Sequence, residues 1–227
     1  MTLEEYFGDW MKVIDKRELI KATSSVKSLY TKNLCTPAYG DIFKAFEYTP
    51  YNELKIVMLA QDPYPQKGIA TGIAFANKGS AVTMSSSLQV LEEAVVDYTN
   101  PDCMNRSFDK TMRLWCEQGI LLLNSSLTVQ VGNPGSHSVY WRPFIISLLR
   151  KLALYNPGLI YVLWGSSAAS FTSYINPKDT VLKLNHPAYY ARTNTKIGPS
   201  FFIELNDIVY SKYGFKLKLY NKIYETD

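Results

Sequence analysis

Four short apolar runs constrain this chain more than any other feature: Ile56–Leu59 (IVML), Ile120–Leu123 (ILLL), Leu159–Leu163 (LIYVL) and Val181–Leu184 (VLKL). The first three show no alternation, and the fourth is broken only by Lys183. Runs this short do not make buried helices, whereas a strand covered on both faces reads as an uninterrupted apolar stretch. Buried parallel strands are therefore predicted. Helical patterns lie between them. Thr2 with Glu5 predicts a capping box, and Ser86 with Gln89 predicts another, opening a helix through Leu88, Leu91, Val95 and Tyr98. From Trp141, apolar residues at 141, 144, 145, 148, 149 and 152 follow the spacing of an amphipathic helix. A further helix is predicted over Ser200–Tyr210. Strands alternating with helices imply an α/β fold with a central four-stranded parallel sheet flanked by helices on both faces. No linker or repeat interrupts residues 1–227, so a single domain is expected. The last stretch, GFKLKLYNKIY, alternates apolar and polar residues and fits either an edge strand or an ordered tail.

Composition narrows the function classes. Apolar residues make up 47% of the chain and aromatic residues 14%, which excludes a disordered chain. A formal net charge of +4 allows a polyanionic partner without demanding one. The three cysteines (Cys35, Cys103, Cys116) are widely spaced and form no CxxC pair, which argues against a disulfide framework or a thiolate zinc site. With only His137 and His186 there is little material for a histidine metal site, and no metal is expected. The acidic start MTLEEYFGDW lacks the basic segment of a signal peptide, and no apolar run is long enough to span a bilayer. A cytoplasmic protein without membrane association is the expectation.

Each predicted strand ends in a polar, turn-rich motif: Ala-Gln-Asp-Pro-Tyr-Pro (60–65), Asn124-Ser125-Ser126, Trp164-Gly165-Ser166-Ser167 and Asn185-His186-Pro187. Open parallel sheets bind ligands beyond the carboxyl ends of their strands. Gln61, Asp62, Asn124, Ser166 and His186 should therefore converge on one rim. Taken alone, Asp62 before a proline reads as a turn residue. At a strand end facing Asn124 and His186 it reads as catalytic. A neutral His186 could donate a hydrogen bond to a developing anion. His137, in GSHS, takes the structural reading. Asn124 is either a strand-end cap or a carboxamide that reads the edge of a base. Phe75, in GIAF, is either core or a stacking platform. The serine patches at 85–87 and 165–167 fit ordinary N-caps or phosphate sites. GxxxxGK[ST], GxGxxG and GxSxG are all absent.

Taken together, QDPYP (61–65), GIAF (72–75), SSL (86–88), ILLLNSSLTV (120–129), GSH…W (135–141), LWGSSA (163–168) and NHPAYYA (185–191) resemble the family 1 uracil-DNA glycosylases across about residues 53–210. The resemblance implies hydrolysis of the uracil N-glycosidic bond in DNA by base flipping, without a cofactor. It places Gln61 and Asp62 in the water-activating loop, with Asp62 orienting the water and stabilising the positive sugar. Tyr64 would exclude the thymine methyl, Phe75 would stack on uracil, Asn124 would bond uracil N3–H and O4, and His186 would donate to O2. Ser87, Ser166 and Ala188 would touch the DNA backbone, and Tyr190 would stand where the family carries a leucine that enters the duplex. Uracil-containing single- or double-stranded DNA is the implied partner, a proteinaceous glycosylase inhibitor a further one, and a monomer the expected state. The sequence departs from the family pattern at Ala60, Pro65, Ser85-Ser86 and the run His186–Ala191. Pro65 and the altered run motivate a competing reading, a catalytically weak DNA-binding module of a replication complex. The retained Asp62, Asn124 and His186 favour the enzyme.

Overall fold

The computed structural model describes residues 2–79, 83–99 and 106–222. Its central sheet comprises β1 (Ile56–Ala60), β2 (Ile120–Asn124), β3 (Ile160–Trp164) and β4 (Thr180–Leu184). The spatial order is β2-β1-β3-β4, and all three neighbouring pairs are parallel. Side chains alternate across a strand, so the apolar runs divide between two cores. Val57, Leu59, Leu121, Leu123, Tyr161 and Leu163 face one core, against helices Lys16–Tyr30 and Ser138–Tyr155. Ile56, Met58, Ile120, Leu122, Ile160 and Val162 face the other, against helices Ser86–Thr99 and Ser200–Tyr213. Burial on both faces explains why these three runs show no alternation.

The α/β class with helices on both faces is the one expected, but the strands do not all belong to one parallel sheet. Cys35–Thr36 pairs antiparallel with Val129–Gln130, and Arg106–Ser107 pairs antiparallel with Asn221–Lys222. Two-residue strands carry no hydrophobic run, so periodicity does not reveal them. β4 is also less buried than predicted: it forms one edge of the sheet, its residues are partly buried, and Lys183 is exposed. Of the C-terminal stretch, residues 215–220 form a strap that leads into the Asn221–Lys222 strand. Leu217 and Leu219 are buried, Trp115 Nε1 donates to the Leu219 carbonyl at 3.1 Å, and Asn206 Oδ1 accepts the Leu217 N–H at 2.7 Å.

The Thr2–Glu5 capping box forms, although the helix it opens is short, Leu3–Phe7. The second expected box does not form. The N–H groups of Leu88 and Gln89 both bond the carbonyl of Ser85, so Ser85 is the cap and Ser86 is the first helical residue. The Ser85 hydroxyl turns instead to Asn77 Oδ1 at 2.9 Å, and Gln89 reaches the Met84 carbonyl. Three consecutive serines offer the helix equivalent starts, and a tertiary contact selects one. Cys103 and the side chain of Tyr98 lie outside the described residues, as do residues 223–227.

Helix Ser138–Tyr155 buries Trp141, Phe144, Ile145, Leu148, Leu149 and Leu152, the stripe its spacing requires. This face assignment generates a paired test. Leu148 is fully buried and Leu154 is 69% exposed on the same helix. Leu148→Ala should lower stability by about 2–5 kcal/mol, and Leu154→Ala by at most about 0.5 kcal/mol. Urea unfolding of the two variants decides, and comparable losses would show that the helix is turned otherwise.

Candidate active site

Parallel pairing brings the carboxyl ends of all four strands to one edge. A cavity of about 600 Å³ opens there, within the range of small-molecule sites. Its lining includes Gln61, Asp62, Tyr64, Phe75, Ser87, Asn124, His186 and Ala188. The structure thus gathers eight of the ten residues named from sequence, contributed by segments far apart in the chain.

The loop after β1 is bolted to the loop after β2. The N–H of Ser125 bonds the Ala60 carbonyl, and the N–H and hydroxyl of Ser126 and Ser125, respectively, both bond the Gln61 carbonyl, all at 2.9 Å. Gly132 N–H reaches the Pro65 carbonyl at 3.0 Å. The N–H of Gly135 donates to Asp62 Oδ2 at 2.5 Å. Burial raises the Asp62 carboxyl above its ordinary value, while the bonds from Gly135 and Gln61 pull it back down. Asp62 is thus a partly desolvated carboxylate oriented by a backbone donor.

Asn124 ends β2 beside Ala60 of β1 and is 6% exposed, with its side chain on the cavity. Phe75 also lines the cavity. Its φ is 67°, in the left-handed region that non-glycine residues rarely enter. Two bonds hold it there: Tyr64 donates its hydroxyl to the Phe75 carbonyl at 2.8 Å, and Ala74 N–H donates to Leu122 O in β2 at 3.0 Å. Strain of this kind costs on the order of 1–3 kcal/mol and persists where neighbouring contacts dictate the conformation. The Phe75 ring lies 5.8 Å from the His186 ring and 5.7 Å from Trp164, centroid to centroid.

His186 caps helix Pro187–Thr193, with Nδ1 accepting the Ala188 N–H at 3.2 Å. That bond places the lone pair on Nδ1 and the proton on Nε2. Burial, and then the charge of Arg192, push the imidazole down to about 4, so it is neutral near pH 7. The site therefore presents a neutral N–H donor. The Ala188 N–H is committed to His186, so Ala188 has only its carbonyl and methyl to offer a ligand.

Two sequence-predicted residues stand apart. Ser166 is exposed on helix Gly165–Ala169, outside the cavity lining. Tyr190 is partly buried and packs against the core that contains Leu88 and Leu91, whereas Tyr189 is 43% exposed. The position expected to enter the duplex is thus partly buried in this structure, and its neighbour is the more exposed tyrosine. Residues 187–193 coil into a helix that packs on Ser86–Thr99, which turns Tyr190 inward. Sequence reasoning also missed Lys67 and Arg192, exposed cations on the cavity wall. Neither sits in a recognisable motif, so no signal marked them. Among the described residues no group of three or more His, Cys, Asp and Glu side chains is placed to hold a metal ion.

Gly165 carries a constraint its serine-rich motif concealed. Its φ is 85°, and a Cβ there would stand 3.0 Å from the His186 Cβ. Gly165→Ala should therefore displace His186 and lower turnover by roughly a hundredfold while the protein stays folded. Steady-state rates of the variant and the wild type, with circular dichroism as the folding control, provide the check; wild-type turnover would show that His186 tolerates the methyl.

Comparisons with known proteins place the chain in a family. A family profile described as the uracil DNA glycosylase superfamily matches residues 46–209. The uracil-DNA glycosylase of Fusobacterium nucleatum is 32% identical over 208 residues, covering 89% of this chain and 90% of the relative. That of Clostridium beijerinckii is 32% identical over 186 residues, covering 80% of each. Among solved structures, mimivirus uracil-DNA glycosylase superposes with a TM-score of 0.73 at 20% identity, covering 96% of this chain and 93% of that one. A substituted form of the mimivirus protein in complex with UGI gives 0.79 at 21% identity, covering 96% and 89%. The two structures support the fold, and the profile and the relatives support the family.

Proposed function

The chain belongs to the uracil DNA glycosylase superfamily, and from that premise we propose that it hydrolyses the N-glycosidic bond of uracil in DNA, releasing uracil and leaving an abasic site. The observation that carries this reading is the convergence of Asp62, Tyr64, Phe75, Asn124 and His186 on one cavity.

Each residue meets a demand of the reaction. Breaking the bond builds positive charge on the sugar and negative charge on uracil. A carboxylate ~4 Å from the sugar, at an effective dielectric of ~20, contributes about 4 kcal/mol, or roughly 10³ in rate. Asp62 supplies that charge and orients the water, beside Gln61. His186, neutral with its proton on Nε2, donates to uracil O2 as the anion forms. Neutrality matters: an imidazole that titrates near 4 keeps its donor at neutral pH without adding a charge that substrate binding must desolvate. The Asn124 carboxamide has a donor and an acceptor side by side for uracil O4 and N3–H. Phe75 stacks on the base, and Tyr64 occupies the space a C5 methyl would need. The target must leave the duplex to reach this cavity.

Phosphates are held at the mouth by the helix N-terminus at Ser87 and by Lys67 and Arg192 on the same wall. Ser166 is an outlying contact, and Ala188, on the cavity, acts through groups other than its N–H. The duplex-entering role assigned from sequence to Tyr190 passes to its exposed neighbour Tyr189. DNA is the substrate in this reading, single- or double-stranded, acted on by a monomer. A proteinaceous inhibitor of the UGI kind is a further partner, supported by the complex of the mimivirus relative.

Asp62→Asn should lower turnover by about 10³-fold while affinity for uracil-containing DNA holds within a few-fold, because the sugar charge exists only in the transition state. Single-turnover excision and equilibrium binding, measured side by side, separate the two effects; a parallel loss of both would remove Asp62 from this role. Tyr64→Ala should open the cavity to thymine. Free thymine released from a thymine-containing oligonucleotide by this variant and not by the wild type is the expected result, with thermal unfolding measured alongside. Loss of stability without thymine release would make Tyr64 a support for Phe75 alone.

A further inference from the structure

We propose that Thr128, His137 and Trp141, none of which lines the cavity, form a buried lock that positions Asp62 by fixing the turn that presents the Gly135 N–H. This inference rests on the reading of Asp62 given above.

One bond of the lock has a fixed direction. Trp141 Nε1 lies 2.7 Å from Thr128 Oγ1, and an indole nitrogen can only donate. The Thr128 oxygen therefore accepts, and its own hydrogen is free to point at His137 Nδ1, 2.9 Å away. The contact forms in either neutral tautomer: Thr128 donates to an Nδ1 lone pair, or an Nδ1–H donates to the second lone pair of Thr128 Oγ1. Burial, which pushes the imidazole below its ordinary value, keeps the ring neutral. Thr128 and Trp141 are fully buried and His137 is 2% exposed, so water does not compete for these bonds. His137 Nε2 has no partner among the described residues. A buried polar nitrogen left unpaired is costly, so the ring's place in the fold rests on what its other nitrogen holds.

What it holds is the base of a loop. Thr128 and His137 lie nine positions apart, and their contact closes the segment between them. The His137 carbonyl accepts N–H groups of Tyr140 and Trp141, which ties the loop to the first turn of helix Ser138–Tyr155. Two residues earlier, the Gly135 carbonyl accepts the N–H and hydroxyl of Ser138 at 3.1 and 2.8 Å. Gly135 itself has φ 79° and sends its N–H to Asp62. The chain of contacts thus runs from Trp141 through Thr128 and His137 to the peptide plane that orients the carboxylate. His137 is a positioning residue; it touches neither the cavity nor the reacting atoms.

The test replaces the acceptor and keeps the shape. His137→Phe and Thr128→Val each remove the bond with little change in volume, while His137→Asn and Thr128→Ser retain an acceptor or hydroxyl. The readouts are kcat, KM and the pH dependence of kcat on a uracil-containing single-stranded oligonucleotide, with thermal unfolding to count folded protein. His137→Phe should lower kcat by roughly ten- to a hundredfold per folded molecule, with KM changed by no more than about twofold. The acid limb of kcat should also move to higher pH, because Asp62 loses a donor that favours its charged form. Tyr64, Lys67, His186 and Arg192 are the other titratable groups on the cavity, and none is altered. His137→Asn should restore part of the rate and of the limb. If His137→Phe does not fold, Thr128→Val decides by the same readouts. An unmoved acid limb, with activity falling only as far as the folded fraction falls, overturns the lock. Asp62→Asn run in parallel keeps the two claims distinct: if it retains full turnover, the reading of the site has failed and not the lock alone.

Discussion

The active edge of this molecule depends on the backbone stitching between the loops that follow β1 and β2. Parallel pairing places Ala60 beside Asn124 but does not by itself aim their neighbours. The bonds from Ser125, Ser126, Gly132 and Gly135 to residues 60–65 do that. Three of the acceptors are main-chain carbonyls and the fourth is the Asp62 carboxylate, so the arrangement tolerates side-chain change in the first loop as long as the backbone path survives. This accounts for how Ala60 and Pro65 can depart from the family pattern. A proline at 65 gives up an N–H, but the contact this position makes uses its carbonyl.

Burial acts on the two central titratable groups in opposite directions. It raises the Asp62 carboxyl and lowers the His186 imidazole, in both cases by disfavouring the charged form. For His186 the effect is an advantage, since a neutral donor is wanted and Arg192 adds to it. For Asp62 it is a difficulty, since the carboxylate must remain ionised. The donors on Asp62, the Gly135 N–H and Gln61, are the compensation. The same apolar surroundings thus serve one residue and must be offset at the other, and the offset lies in a peptide plane.

Much of this was legible before any coordinates. The uninterrupted runs IVML, ILLL and LIYVL could only be strands covered on both faces, and their carboxyl ends had to lie together. That reasoning, extended to the interrupted fourth run VLKL, brings Asp62, Asn124 and His186 to one edge. The helix stripe from Trp141 was equally legible, because six apolar positions at helical spacing leave little choice of face. Other features depend on contacts between distant segments. The positive φ of Phe75 arises from bonds to Tyr64 and Leu122, and the need for glycine at 165 arises from His186, 21 residues on. The choice of Ser85 over Ser86 as a cap follows from Asn77. Which of Tyr189 and Tyr190 faces solvent is not legible, because motif spacing assigns a position in the chain, whereas packing of helix Pro187–Thr193 on Ser86–Thr99 decides exposure.

The central claim is that the edge built by these loops cleaves the bond between uracil and its sugar. The most direct measurement is to incubate the protein with an end-labelled oligonucleotide carrying a single uracil, treat with hot alkali, and resolve the products. The account predicts strand cleavage at the uracil position only, together with an equivalent of free uracil, and no cleavage of the matched oligonucleotide carrying thymine. An intact uracil strand after prolonged incubation with folded protein that still binds it would contradict the account and leave a DNA-binding module in its place.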